Sequence, residues 1–279
     1  MSAQSLQQVS LTQINFGPGK DQISIERGAG EHWKPLFFAV DGKGLIHIPD
    51  FYKQRIAVFD KQGRLKADIP CAAGISPRMN FFALAPNGCY ITFNDGTLYT
   101  ISAQGKLKWQ YAFGAGVIPQ RIFPADTALF IILPPYIDAD GRAILFDYRN
   151  ARPMGRFGMQ HKGKGLALVQ NTAGNPHTLS LKDMRAISKN AHKYKTDSDA
   201  VLMYITTNGT SVWKQKHDAA ETILVFSAAG KQVYRGTIYY PDGVSGNGFW
   251  TWVSEDLTIY KNYFFDKYMQ IAAYRFTGK

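Results

Sequence analysis

Residues 36–69 read LFFAVDGKGLIHIPDFYKQRIAVFDKQGRLKADI, and residues 80–113 read NFFALAPNGCYITFNDGTLYTISAQGKLKWQYAF. Both follow one plan. An apolar run leads to a Gly turn, a second apolar run, a polar loop, a third run ending in Asp or Ser, another Gly turn and an alternating strand. The runs are short, rich in β-branched and aromatic residues and bounded by turn formers, which is the strand and hairpin signature rather than a helical period. The stretch therefore predicts a tandem repeat of four-stranded antiparallel units.

The turn after the third strand is the marker that can be followed outward, because a tight reversal there needs Gly or Asn to supply positive φ. It recurs at Asp60–Gly63, Ser102–Gly105, Asp147–Asn150 and Ser227–Gly230. The last interval is close to two periods, so a degenerate unit is expected over 165–190. Its third strand is read at Arg185–Asn190, with a short capped helix starting at Ser180 as the competing local reading. The full set of units is 36–69, 80–113, 120–158, 165–190, 200–235 and 248–276. The last unit has three strands, and Val9–Phe16 is an isolated alternating strand at the other end. Pairing 9–16 with the C-terminal strands would complete that sheet and remove an open edge. The expectation is one all-β domain, a β-propeller of about six four-stranded blades.

Composition agrees with a globular chain: of 279 residues, 45% are hydrophobic, 14% aromatic and 19% charged, which excludes a disordered, collagen-like or coiled-coil protein. Cys71 and Cys89 are too few for a disulfide scaffold or a zinc knuckle; they read as two small buried hydrophobes, with a single bridge left open. No apolar run approaches the roughly 18 residues a membrane helix needs. Met1–Gln8 carry neither a basic start nor an apolar stretch, so no signal peptide is read there, and a start placed just after a removed signal is left open.

Phe38-Ala-Val-Asp41, Gly44-Leu-Ile-His47-Ile-Pro-Asp50 and Arg55-Ile-Ala-Val-Phe-Asp60 with Gly63, preceded by Phe16-Gly-Pro-Gly19, resemble an NHL-type propeller repeat, most clearly over residues 9–69. Gly105-Lys-Leu-Lys-Trp109 is similar to the repeat of quinoprotein-type propellers. The NHL resemblance implies that Asp50 and Arg55 are structural positions of the repeat. Propellers related by repeat type include metal-dependent lactonases, an amidating lyase and RNA-binding proteins. The resemblance thus leaves open a hydrolase or lyase holding a divalent metal in the central channel, and an RNA-binding propeller. It also favours an extracytoplasmic location, periplasmic or secreted.

Loops joining second to third strands are the first places to look for a ligand. They supply Tyr52, Tyr136, Asp138 and His217 as candidates. Asp138-Ala-Asp140-Gly141 has the opening of a calcium loop but no late bidentate acid, so it reads as a hairpin turn. The six histidines show no H-E-x-x-H spacing, and no nucleophile elbow, P-loop or dinucleotide glycine pattern occurs. His47 alternates with Ile46 and Ile48, the pattern of a satisfied, semi-buried histidine facing a neighbouring blade. Asn208-Gly-Thr210 matches a glycosylation sequon but closes a hairpin between Val201–Ile205 and Thr210–Trp213. No catalytic residue, metal ligand or cofactor is assigned.

The charge is more informative. Lys plus Arg is 32 against 21 acids, a net +11. Within 149–195 stand ten bases, Arg149, Arg152, Arg156, Lys162, Lys164, Lys182, Arg185, Lys189, Lys193 and Lys195, against Asp183 alone. The segment carries +9 and the remainder +2. It also holds His161, His177 and His192, which would add charge as pH falls towards 6. Such a segment reads either as a solvated face of a degenerate blade or as an interaction surface. Only Phe157 and Tyr194 interleave with the bases, so base stacking on single-stranded RNA is the less attractive use. The functional expectation is a monomeric, non-enzymatic binding propeller. Its partner would be a protein, an anionic polymer or a lipid headgroup.

Overall fold

The computed structural model describes residues 5–28, 31–33, 35–76, 79–114, 117, 119, 121–124, 128–132, 143–147, 152–162, 165–170, 200–206, 210–227, 231–242, 244 and 250–277. Strand β1 (Ser5–Asn15) is followed by a small hairpin of β2 (Glu26–Gly28) and β3 (Glu31–Trp33). Next come β4 (Ala39–Val40), β5 (Ile46–Asp50), β6 (Arg55–Phe59) and β7 (Leu65–Pro70), one antiparallel sheet in chain order. Strands β8 (Met79–Leu84), β9 (Tyr90–Asn94), β10 (Thr97–Ile101) and β11 (Leu107–Ala112) repeat it. A five-stranded sheet follows, of β12 (Arg121–Pro124), β13 (Ala128–Ile132), β14 (Ala143–Asp147), β15 (Arg152–Lys162) and β16 (Gly165–Gln170). Strands β17 (Ala200–Ile205), β18 (Ser211–Lys216), β19 (Ala220–Phe226) and β20 (Gln232–Tyr239) form another four-stranded sheet. Finally β21 (Thr251–Val253), β22 (Ile259–Phe264) and β23 (Tyr268–Thr277) pair in sequence, and β1 lies against β23.

The architecture is all-β and propeller-type, and the expected pairing of the N-terminal strand with the C-terminal three is present. The expected count of six blades is not: among the described residues four sheets have the four-stranded plan. The difference arises at 165–170, expected to begin a separate degenerate unit. Those residues are β16, and they fold back onto the far half of β15, from Phe157↔Gln170 to Lys162↔Gly165. An 11-residue β15 is longer than β14 can cover, and the uncovered edge takes a strand of its own. The strand or helix considered within 180–190 lies outside the described residues.

Side-chain caps explain why the repeat marker was legible. Asp60 Oδ1 accepts from the backbone of Gln62 and Arg64, each at 3.0 Å, and its Oδ2 accepts from Arg64 Nε at 2.8 Å. Ser102 Oγ takes the Gln104 and Lys106 amides at 3.2 Å, and Ser227 Oγ takes Lys231 N at 3.3 Å. These short polar side chains stand in for backbone acceptors, which is why Asp and Ser initiate such turns. The glycines have a second reason. Gly63 (φ +76°) sits against the Gln13 carbonyl of β1, and Gly105 (φ +81°) sits against the Pro70 carbonyl of β7, each so closely that a Cβ would overlap the oxygen. In both cases the third-to-fourth-strand turn of one blade abuts the outer strand of the blade before it. The same glycine thereby permits the turn and the packing of one blade on the last.

The chain divides into two compact units, one formed by Gln7–Ala115 with Tyr240–Arg275, the other by Gly116–Tyr239 with the chain ends. In the first unit β4, β5 and β6 are buried on both faces, while the outer strand β7 is largely exposed. Val40, Ile46, Ile48 and Phe59 pack on Ile14, Met269 and Ile271; Ala39, Ile56 and Phe51 pack on Phe82, Tyr90 and Ile101. Each of the valine, isoleucine, methionine and phenylalanine side chains contributes about 1.5–3 kcal/mol on burial. Trp250 ties the starts of three sheets together. Its Nε1 donates to Phe38 O at 2.8 Å, its ring meets Phe37 and Phe81 edge-on, and Asn262 bridges its backbone to Leu36 O. In the second unit, Trp213, Leu224 and Phe226 cluster between β18 and β19. Cys71 and Cys89 are both buried free thiols.

Candidate functional site

The first candidate loop joins β5 to β6. Tyr52 is 40% exposed, its ring 4.3 Å from that of Phe51. Its polar neighbours are committed to structure. Asp50 and Arg55 are buried and linked Nε to Oδ2 at 3.3 Å. Arg55 also reaches Asp68 Oδ2 at 2.9 Å and the carbonyls of Lys20 and Gln22. Lys53 Nζ lies among the carbonyls of Gly17, Gly19 and Gln22 at 3.3, 2.7 and 2.8 Å. Burial, then the neighbouring Arg55, lowers the Lys53 pKa, with Asp50, Asp68 and Asp21 acting against them. The network clamps residues 17–24 onto β5 and β6, the structural role expected for Asp50 and Arg55.

His47 is placed as its alternation with isoleucines predicts. From β5 it crosses to the next sheet, with Nδ1 3.0 Å from the Tyr90 hydroxyl and Nε2 3.4 Å from Asp41 Oδ2. Burial lowers the His47 pKa, opposed by Asp41. Burial, with Asp41 and then Cys71, pushes Tyr90 up to about 12. This carboxylate, imidazole and phenol line could relay a proton, but His47 and Tyr90 are 7% and 2% exposed, so no substrate reaches them in this state. Inside the core Nδ1 and the Tyr90 hydroxyl satisfy each other, while Nε2 is left with no hydrogen bond beyond its 3.4 Å approach to Asp41.

His217 lies in the β18–β19 turn, exposed, with Nε2 3.0 Å from Thr222 Oγ1. Tyr136 and Asp138 lie outside the described residues. Of the basic segment, Arg152 is exposed at the start of β15, and Arg156 and Lys162 are further along that strand. Arg149, Lys164, Lys182, Arg185, Lys189, Lys193 and Lys195 lie outside the described residues. A divalent metal, as the repeat resemblance implied, would need several acids or histidines converging; among the described residues no group of three or more does so. No helix among them is long and apolar enough to cross a membrane.

The structure adds a feature absent from the sequence reading, a polar groove of about 320 Å³ where the turns β4–β5 and β6–β7 meet β1 and β22. Lys43, Lys61 and Tyr260 line it. A signal did exist: Asp41 and Asp60 open equivalent turns of adjacent hairpins, which places Lys43 and Lys61 at one end of the same sheet.

No family model and no curated protein sequence matches the chain. Among solved structures it is similar to a DUF4221-family member from Bacteroides vulgatus, at 10% identity over 99% of both chains with a TM-score of 0.47. A streptogramin B lyase shares 11% identity over 95% of this chain and 97% of its own, TM-score 0.48. A putative exported protein from Bacteroides fragilis shares 10% identity over 98% and 96%, TM-score 0.48.

Proposed function

We propose that the chain is a non-enzymatic interaction propeller of the NHL-repeat type, acting as an extracytoplasmic monomer. It holds an anionic partner, a protein, polymer or lipid headgroup, through the basic surface of residues 149–195. The observation that carries this reading is the concentration of ten bases against one acid in 47 residues of a chain otherwise near neutrality. The strand plan supports it: β15 outruns β14 and pairs with β16, giving the first part of the basic segment a hairpin that the four-stranded repeat does not require. Lysines and arginines gathered on a surface raise the local concentration of anions and speed association, with strong salt dependence.

The test is binding to vesicles of phosphatidylglycerol and phosphatidylcholine, to heparin and to single-stranded RNA, each at rising salt. Affinity is expected to fall steeply between 50 and 300 mM salt, and substitution of Lys189, Lys193 and Lys195 by Glu should weaken it about tenfold or more. Binding indifferent to salt and to those substitutions would overturn the reading. A preference for RNA at equal charge density would replace the partner class named here.

A further inference from the structure

The groove between the β4–β5 and β6–β7 turns and strands β1 and β22 has a donor set that the fold leaves unused. We propose that it binds a small organic carboxylate with an apolar body, held head-first by Lys43 and Lys61.

The argument begins with the acids. Asp60 lines the groove, but both its oxygens are engaged. Oδ1 receives the Gln62 and Arg64 amides, and Oδ2 receives the Arg64 guanidinium at 2.8 Å. Burial works against its charge, yet the hydrogen bonds from Arg64 and Gln62 outweigh this and hold the carboxyl below its usual range. Asp41, at the neighbouring turn, is engaged in the same way. Oδ1 takes the amides of Lys43 and Leu45 at 2.8 Å, and Oδ2 faces His47. Lys43 and Lys61 have no ion pair among the described residues. The charge left over in the groove is therefore positive, although the nearby acids are as numerous as the lysines.

The same hydrogen bonds fix the geometry. Thr12 Oγ1 donates to Lys61 O at 2.9 Å, and Gly63 rests against Gln13 O, so the β6–β7 turn is pinned to β1. The Asp41 turn is closed by its own cap, so both lysines project from rigid turns at one end of the sheet. Between them the partly exposed Leu45 gives the groove its accessible apolar surface, and Ile46 and Ile271, at 3% and 1% exposure, close the base beneath it. Tyr260, half-buried at the wall, offers a hydroxyl whose pKa is raised by burial and by Asp256, so it stays protonated and donates. Two cations and a phenol above an aliphatic floor fit a carboxylate headgroup with a short hydrocarbon tail. A volume of about 320 Å³ is at the small end of ligand cavities. The groove is independent of the basic segment, and neither proposal requires the other.

The experiment is a titration of the whole chain with hexanoate, followed by backbone amide NMR. Hexan-1-ol serves as the probe without charge and inorganic phosphate as the probe without a tail. Saturable shifts at Lys43–Ile46 and Asp60–Gln62 are expected with hexanoate. Hexan-1-ol and phosphate should each bind at least tenfold more weakly. Lys43→Met with Lys61→Met should weaken hexanoate at least tenfold, and Tyr260→Phe about threefold; both lysines are exposed, so the double variant keeps its fold. Shifts that do not saturate, that fall elsewhere, or that persist in the double variant overturn the proposal. So does equal binding of the alcohol or of phosphate.

Discussion

The sequence of the β4–β11 sheets and that of the segment running from residue 149 through β15 and β16 balance charge in opposite ways. Residues 36–113 carry nine bases and five acids, and most of the acids are drawn into turns, cores or clamps that bases complete. Asp50 and Asp68 hold Arg55, Asp60 holds Arg64, and Asp41 faces His47. Residues 149–195 have ten bases and a single acid to answer them. A charge that is answered internally maintains the fold; one that is not is free for a partner. Substitutions at these paired charges of the first region should therefore cost stability, and substitutions in the second region should cost binding.

The largest effect is expected at Arg55. It is 3% exposed and is the shared partner of Asp50, Asp68 and two carbonyls of the 17–24 segment. Arg55→Ala leaves buried Asp50 with only the more distant Lys53 Nζ, at 4.0 Å, as a cation, and strips Asp68 and the two carbonyls of their donor, so unfolding by denaturant should show a loss of about 3–5 kcal/mol. A loss below about 1 kcal/mol would mean that the clamp is ornamental and the contrast between the regions is misdrawn.

Next is the close approach of the turns. Gly105→Ala places a Cβ against Pro70 O and forces alanine to positive φ, which together should cost about 2–4 kcal/mol. Gly88→Ala, at φ +78° with nothing within 4 Å, isolates the backbone part and should cost about 1–2 kcal/mol. If the two variants unfold alike, the second role of the glycine, as a point where one blade rests on another, is wrong.

That distinction marks what the sequence could disclose. The tandem plan of 36–113 was legible because each turn advertises itself twice, by a capping Asp or Ser and by a glycine, and because Ile46, Ile48 and Ile56 alternate with the pleat. The closing strand at 9–16 was legible because an unpaired strand at each end of the chain is costly unless the two meet. The blade count was not, since β16 has the apolar pattern of a first strand and only pairing decides whether it opens a new sheet or extends β15. Roles for Asp50, Arg55 and His47 could be read from alternation and repeat position. For the groove, only the placing of Lys43 and Lys61 at one end of the sheet could be read; its surplus of positive charge could not, because it depends on Asp60 being paired with Arg64 and on the oxygens of Asp41 being turned to its own turn and to His47.

The His47 contact predicts a pH effect confined to the first region. Burial lowers its pKa in the fold below the ordinary value of 6.5. The unfolded chain then binds the proton more tightly than the folded one, so the contribution is full above 6.5 and is lost as pH falls through the folded value. Stability should decline on acidification below about 6.5, by at most about 1.4 kcal/mol per pH unit from this group. His47→Gln should flatten that limb of the profile while leaving polyanion binding intact.

The smallest stability effect belongs to the second region. Arg152 is exposed and stands opposite Asp147 across the β14–β15 ladder. Asp147 is buried at 8% exposure while Arg152 is exposed, and a cross-strand pair of opposite charge contributes about 0.2–1 kcal/mol. Arg152→Ala should accordingly shift the unfolding midpoint very little while weakening binding to anionic vesicles about two- to threefold. Those two readouts, taken on one protein, separate a base that serves the fold from one that serves a partner. If the stability loss matches that at Arg55 and binding is untouched, the β15–β16 hairpin is as internally committed as the β4–β7 sheet, and the excess of charge must be sought further along, in the lysines beyond residue 180.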